Sequence, residues 1–136
     1  MIFVDTTIWA SAIDASDTLH EDGSAVLKAL AEGRLPSALT TDFVLDETLA
    51  LLRMRGGRPD LIVRAIASIM SSPNLNLVYV DDSLFKAGLR TFQKYERLSF
   101  TDAVTLAIMQ QRKIKEIFSH DGDFDVKGIL RRERPG

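Results

Sequence analysis

The chain has 136 residues, of which 46% are hydrophobic and 26% charged, with a formal charge of −2 and no cysteine. That length suits one domain, residues 1–136, with a core of its own, and the composition excludes a disordered polymer. The missing cysteines exclude a disulfide framework and a thiolate zinc site, and the slight acidity excludes nucleic-acid binding through overall basicity, which leaves a local patch.

Ile2-Phe3-Val4 is β-branched and aromatic, so it reads as a buried strand ending at Asp5. Residues 6–13 read as a short helix, and the acidic stretch 14–22 as a solvated loop. Val26, Leu27 and Leu30 recur at helical spacing from about Asp22 to Glu32, with Gly33 as the stop. Ala38-Leu39 leads into a second strand. Thr40, Thr41 and Asp42 offer caps for a helix running to about Arg55 and ended by Gly56-Gly57. Arg58-Pro59-Asp60 opens another helix, broken at Ser72-Pro73-Asn74, and Leu75 to Val80 alternates as a third strand. Asp81-Asp82-Ser83 caps a helix to about Tyr95, and Ser99 to Arg112 forms the next. Ile114 to Phe118 reads as a fourth strand, 120–125 as a loop, and 129–132 as a marginal fifth strand.

Strands alternating with helices predict an α/β fold with a mostly parallel sheet covered on both faces. With the first strand central, the connections leave it first one way and then the other. A crevice then opens beside strands one and four, where Asp5 and Asp121 face each other. No apolar run approaches the roughly 18 to 20 residues of a membrane span. Asp5 also interrupts any signal-peptide core, so the expectation is a cytoplasmic protein without a membrane partner.

Four acids stand where a merely solvated carboxylate is out of place: Asp5, Glu47, Asp102 and Asp121. Each also has a plainer reading. Asp5 after a strand is a ready helix cap. Glu47 shares its helix face with Phe43, Val44, Ala50 and Leu51, so it points inward and needs a cation, a metal or a raised pKa; a buried pair with Arg53 would serve. Ser99-Phe100-Thr101-Asp102 has capping-box spacing before a helix apolar nearly all round. Asp121 lies in a Gly-containing acidic loop, where Asp123 or Asp125 is an alternative. Taken together, four carboxylates converging on one end of a sheet repel one another and call for a cation. All-oxygen ligation suits Mg²⁺ or Mn²⁺ rather than zinc.

At this point the chain resembles a PIN-domain ribonuclease, especially the VapC toxin half of a VapBC toxin–antitoxin pair. Ile2 to Thr7 resembles the family's hydrophobic-strand-Asp-Thr/Ser opening, and Asp46-Glu47-Thr48-Leu49 its helical glutamate motif. Phe100-Thr101-Asp102-Ala103 with Ala107 is similar to the third motif, and Ser119-His120-Asp121-Gly122-Asp123-Phe124 to the fourth. The resemblance implies a PIN-like three-layer α/β/α sandwich with four to five parallel strands ordered 3-2-1-4-5. It also implies a Mg²⁺-dependent endoribonuclease, with Mn²⁺ able to substitute. Asp5, Asp102 and Asp121 would hold the metal, Glu47 would orient the water or a second ion, and Thr6, Thr7 or Ser119 would bond phosphate or a ligand. A small antitoxin inserting a basic side chain among the acids is implied as well, and a homodimer. No role falls to His20 or His120.

Phosphate contacts are open to Arg53, Arg55 and Arg58, or to Arg131, Arg132 and Arg134, against the commoner reading as exposed charged helix ends. Trp9, Tyr79, Phe92 and Tyr95 read as core or interface residues. Two rival functions remain. A haloacid-dehalogenase-type phosphatase fits poorly, because Thr7 stands where that family has a second Asp. A catalytically silent PIN-like module that binds RNA or protein is the other.

Overall fold

The computed structural model describes residues 1–136. Five parallel strands form one sheet: β1 (Ile2–Val4), β2 (Ala38–Thr41), β3 (Leu75–Val78), β4 (Glu116–Phe118) and β5 (Leu130–Arg132), in the order β3-β2-β1-β4-β5. The predicted order 3-2-1-4-5 is the observed one. Six helices connect them: α1 (Thr6–Ile13), α2 (His20–Ala31), α3 (Asp42–Met54), α4 (Pro59–Met70), α5 (Asp82–Lys94) and α6 (Phe100–Gln111). Every residue of β1 is fully buried, so both faces of the sheet centre are covered. No helix is long and apolar enough to cross a membrane.

The central register decides where the site lies. Phe3 pairs with Ile117 and Val4 with Phe118, while Ile2 pairs with Ala38 on the other side. Asp5 and Ser119, each the next residue along, therefore emerge side by side at the carboxyl end of the sheet. Asp5 N–H donates to Phe118 C=O across 3.1 Å, which fixes that neighbourhood. The chain goes from β1 to β2 and β3 on one side, then returns past β1 to β4, so this pair stands at the topological switch point.

Caps set the helices that meet there. Asp5 caps α1, Thr41 caps α3 by accepting from Val44 N–H, Asp81 caps α5, and Ser99 caps α6 by accepting from Asp102 N–H. Gly56, at φ +77°, turns the chain out of α3 as its position predicts. Gly88 lets α5 lie directly on α6: a Cβ there would stand 2.5 Å from Val104 Cγ2.

Several boundaries move. α2 starts at His20, two residues early, with His20 Nδ1 2.7 Å from Ser11 C=O on α1. β3 stops at Val78 because its partner β2 ends at Thr41, and Val80 N–H goes instead to Asp42 Oδ1. β4 starts at Glu116, since Ile114 N–H still closes the end of α6 on Met109 C=O. Trp9 is core, with Nε1 donating to Thr40 Oγ1, whereas Tyr79 and Phe92 are largely exposed.

Candidate functional site

Asp5 is 2% exposed, and its two oxygens live differently. Oδ2 accepts from Ser119 Oγ at 2.8 Å and from Thr7 Oγ1 at 3.0 Å, with Thr7 N–H at 3.5 Å. Oδ1 is buried and has no partner at all. Burial pushes the Asp5 carboxyl up from its ordinary range, against the pull of Ser119, the Thr6 backbone N–H and Thr7 and with a further push from the charge of Glu47.

Asp102 comes to the same place from the first turn of α6 and is itself buried. Its carboxyl is pushed up to about 7, first by burial and then by the negative charge of Asp5, with Glu47 and Asp121 adding to it. Asp102 therefore feels all three of the other acids singled out in the sequence. No lysine or arginine is among the groups that set its acidity. Glu47, half-buried on α3, forms no ion pair with Arg53; Arg58 is paired to Asp60, and Arg55 is taken by Asp14 and Asp17.

The loop after β4 brings the fourth acid. Ser119 Oγ accepts from Asp121 N–H at 3.0 Å while donating to Asp5, so one hydroxyl ties two acids together. Asp121 Oδ1 in turn accepts from Asp123 N–H, starting the 3₁₀ turn Gly122–Phe124. His120 N–H donates to Thr7 Oγ1 and its ring Nε2 lies 3.2 Å from Ser11 Oγ, pinning the loop to α1. Asp125 is exposed and tied to Arg131, which separates it from the buried group.

Two expected ligand-binding hydroxyls are otherwise engaged. Thr6 is buried, and its Oγ1 donates to Val44 C=O, tying α1 to α3. Ser119 is fully buried, and its hydroxyl donates to Asp5 Oδ2, accepts from Asp121 N–H and lies 3.4 Å from Thr7 Oγ1. Both hydroxyls are thus spent on the protein's own groups, Thr6 on the α1–α3 contact and Ser119 on the acids. That role had no signal in the sequence beyond its place after a strand. The tail arginines are largely paired as well: Arg131 with Asp125 and Glu133, Arg132 with Glu116 and over the Phe118 ring.

Chemically the four acids are a set of oxygen donors, one of them a buried oxygen without a hydrogen-bond partner, with no lysine or arginine paired to them. No three histidine, aspartate or glutamate side chains are drawn into a geometry that could hold a metal ion by themselves.

A family model described as the PIN domain matches residues 2–130. The 23S rRNA-specific endonuclease VapC20 of Mycobacterium tuberculosis is 33% identical over 132 residues, covering 96% of each chain. A VapC ribonuclease of Archaeoglobus fulgidus is 30% identical over 131 residues, covering 94% of this chain and 81% of that one. The crystal structure of M. tuberculosis VapC20, described as a sarcin–ricin loop cleaving toxin, superposes with a TM-score of 0.82 at 32% identity. It covers 99% of this chain and 100% of the other. VapBC2 from Rickettsia felis, bound to a DNA fragment from its promoter, gives 0.69 at 12% identity over 97% and 98% of the two chains, a likeness of fold.

Proposed function

The chain belongs to the PIN-domain family, and from that premise we propose that it is a divalent-metal-dependent endoribonuclease hydrolysing RNA phosphodiester bonds. Its site is the cleft of Asp5, Glu47, Asp102 and Asp121, and its role is the toxin of a toxin–antitoxin pair. The observation that carries this reading is Asp5 Oδ1, a buried carboxylate oxygen with no partner beside a second buried acid. An orphaned group of that kind costs on the order of 1–3 kcal/mol or more unless something binds it. Neighbouring acids exclude another anion, so a cation is the natural occupant.

The donor set fits Mg²⁺. This ion favours oxygen, keeps several of its waters and binds through one or two carboxylates, so it does not require three acids already closed around a point. Asp5, Asp102 and Asp121 would hold it, directly or through water, and Mn²⁺ would substitute. When bound, such an ion acidifies a water and offsets charge on the leaving oxygen. The protein's own part is positioning. Ser119 and Thr7 occupy Asp5 Oδ2 and so leave Oδ1 free for a cation. Ser119 also sets the backbone at Asp121. Glu47, on a separate helix, would orient the attacking water or a second ion.

The haloacid-dehalogenase alternative falls with family membership. A silent binding module would have no use for an unpartnered buried oxygen, and this favours the nuclease. The same acids suit a small antitoxin that inserts a basic side chain, and the PIN-domain relatives support reading the chain as a single domain that works as a cytoplasmic homodimer. The test compares RNA cleavage in Mg²⁺, Mn²⁺ and EDTA for the native chain, Asp5→Asn and Asp102→Asn. Cleavage confined to the native chain with metal supports the reading; equal RNA loss in every sample overturns it.

A further inference from the structure

A pocket of about 600 Å³ opens beside the acids, with Thr7 and His120 in its wall. Thr7 Oγ1 is the group 3.0 Å from Asp5 Oδ2, so pocket and acidic cleft share a partition one side chain thick. Its size is that of a small-ligand site. Arg55, at the end of α3, reaches into this wall. Its Nη1 donates to Asp14 Oδ2 at 3.1 Å and to Asp17 Oδ2 at 2.8 Å. A guanidinium carries five N–H groups in a rigid plane, and the three on Nε and Nη2 make no protein hydrogen bond.

The two carboxylates are equally fixed. Asp14 Oδ1 accepts from Ser16 N–H and Oγ, and Asp17 Oδ1 accepts from Leu19 N–H. Each keeps lone-pair capacity. Two carboxylates against one guanidinium disfavour a phosphate. A ligand with acceptors for the guanidinium and donors for the carboxylates fits both. Leu19 and Leu51 add apolar surface for a flat ring.

We propose that this pocket seats one unpaired guanine base of the RNA, flanking the bond to be cut; the inference rests on the ribonuclease reading above. Guanine offers O6 and N7 to Arg55 and N1–H and N2–H₂ to Asp14 or Asp17. Adenine puts a donor where the arginine needs an acceptor, and a pyrimidine lacks N7. Because the arginine is already held by two aspartates, little rotamer freedom remains to be lost on binding.

The experiment measures binding of fluorescein-labelled oligouridine carrying one guanosine, walked through each position, to the Asp102→Asn chain in Mg²⁺. One position is expected to gain on the order of 10-fold over plain oligouridine, with the gain lost for adenosine and reduced for inosine or 7-deazaguanosine there. Base analogues leave the protein unaltered, so misfolding cannot produce the result. Arg55→Lys, which keeps the charge but not the fork, is expected to erase the difference between the guanosine-containing and plain oligouridine. Equal affinity at every position overturns the proposal, as does a guanosine preference that survives Arg55→Lys. If an arginine-containing peptide binds and Asp17→Asn abolishes that binding, with no base preference in RNA, the pocket serves a protein partner and the proposal is also overturned. Cleavage is not the readout. Base preference without any RNA cutting by the native chain would sink the nuclease reading alone.

Discussion

Asp5 divides its carboxylate between two tasks. Oδ2 gathers the Ser119 and Thr7 hydroxyls and caps α1, while Oδ1 is left bare. The sequence offered capping and cation binding as rival readings, yet one oxygen can take each. Removing the tether tests this: Ser119→Ala should keep the fold but lower cleavage and Mg²⁺ affinity by about 10- to 100-fold, as loss of an orienting group around a metal site does. Unchanged Mg²⁺ affinity by titration calorimetry would refute the orienting role. Acidity gives a second test. In the metal-free folded chain Asp102 holds its proton up to about 7, against an ordinary 3.8 in the unfolded chain. Between those values the native state binds the extra proton, so stability falls as pH rises through that window and this group adds no further change above it. Asp102→Asn removes the penalty and should be more stable than the native chain by about 1–3 kcal/mol at pH 8 without metal, with the gap closing towards pH 4. Urea midpoints at both pH values read it; a gap that widens on acidification would contradict the shift. The four acids were legible because each sits against apolar neighbours or a capping pattern. The hydrogen bonds of the Ser119 hydroxyl to two acidic residues and the inward turn of Thr6 were not, since both depend on which strands are neighbours.

Helices and strands were read mostly from periodicity and punctuation, and they failed where a partner decides the end. Alternation through Tyr79 and Val80 looked like more strand, but β2 had no residue left to pair with them. The early start of α2 has a contact with α1 as its cause, with no cap hydrogen bond at Leu19 to announce it. Packing between helices is similarly hidden. Gly88 lay inside a helical pattern without an evident reason, and the reason is Val104 of α6. Gly88→Ala should therefore push α5 off α6 and destabilise the chain by about 1–3 kcal/mol, despite alanine's better helix propensity. Since Asp102 rides on α6, Mg²⁺ affinity should weaken in the same variant. A Gly88→Ala chain with unaltered urea midpoint would show that the helices yield without strain.

At the scale of the molecule, a cation that binds only the folded chain must stabilise it. Saturating Mg²⁺ at about 100 times its dissociation constant is worth about 2.7 kcal/mol. The melting temperature should rise with Mg²⁺ in the native chain and stay flat in Asp5→Asn. A rise of equal size in both would place the ion elsewhere.

The position of β1 between β2 and β4 has one more consequence. Translation makes β1 more than a hundred residues before its neighbour β4, so Phe3 and Val4 wait for Ile117 and Phe118 before the middle of the sheet can zip. Asp121 follows later still. A growing polypeptide thus carries Asp5, Glu47 and even Asp102 before Ser119 and Asp121 are there to complete the group. A ribonuclease with this strand order cannot complete its group of acids until β4 has paired with β1.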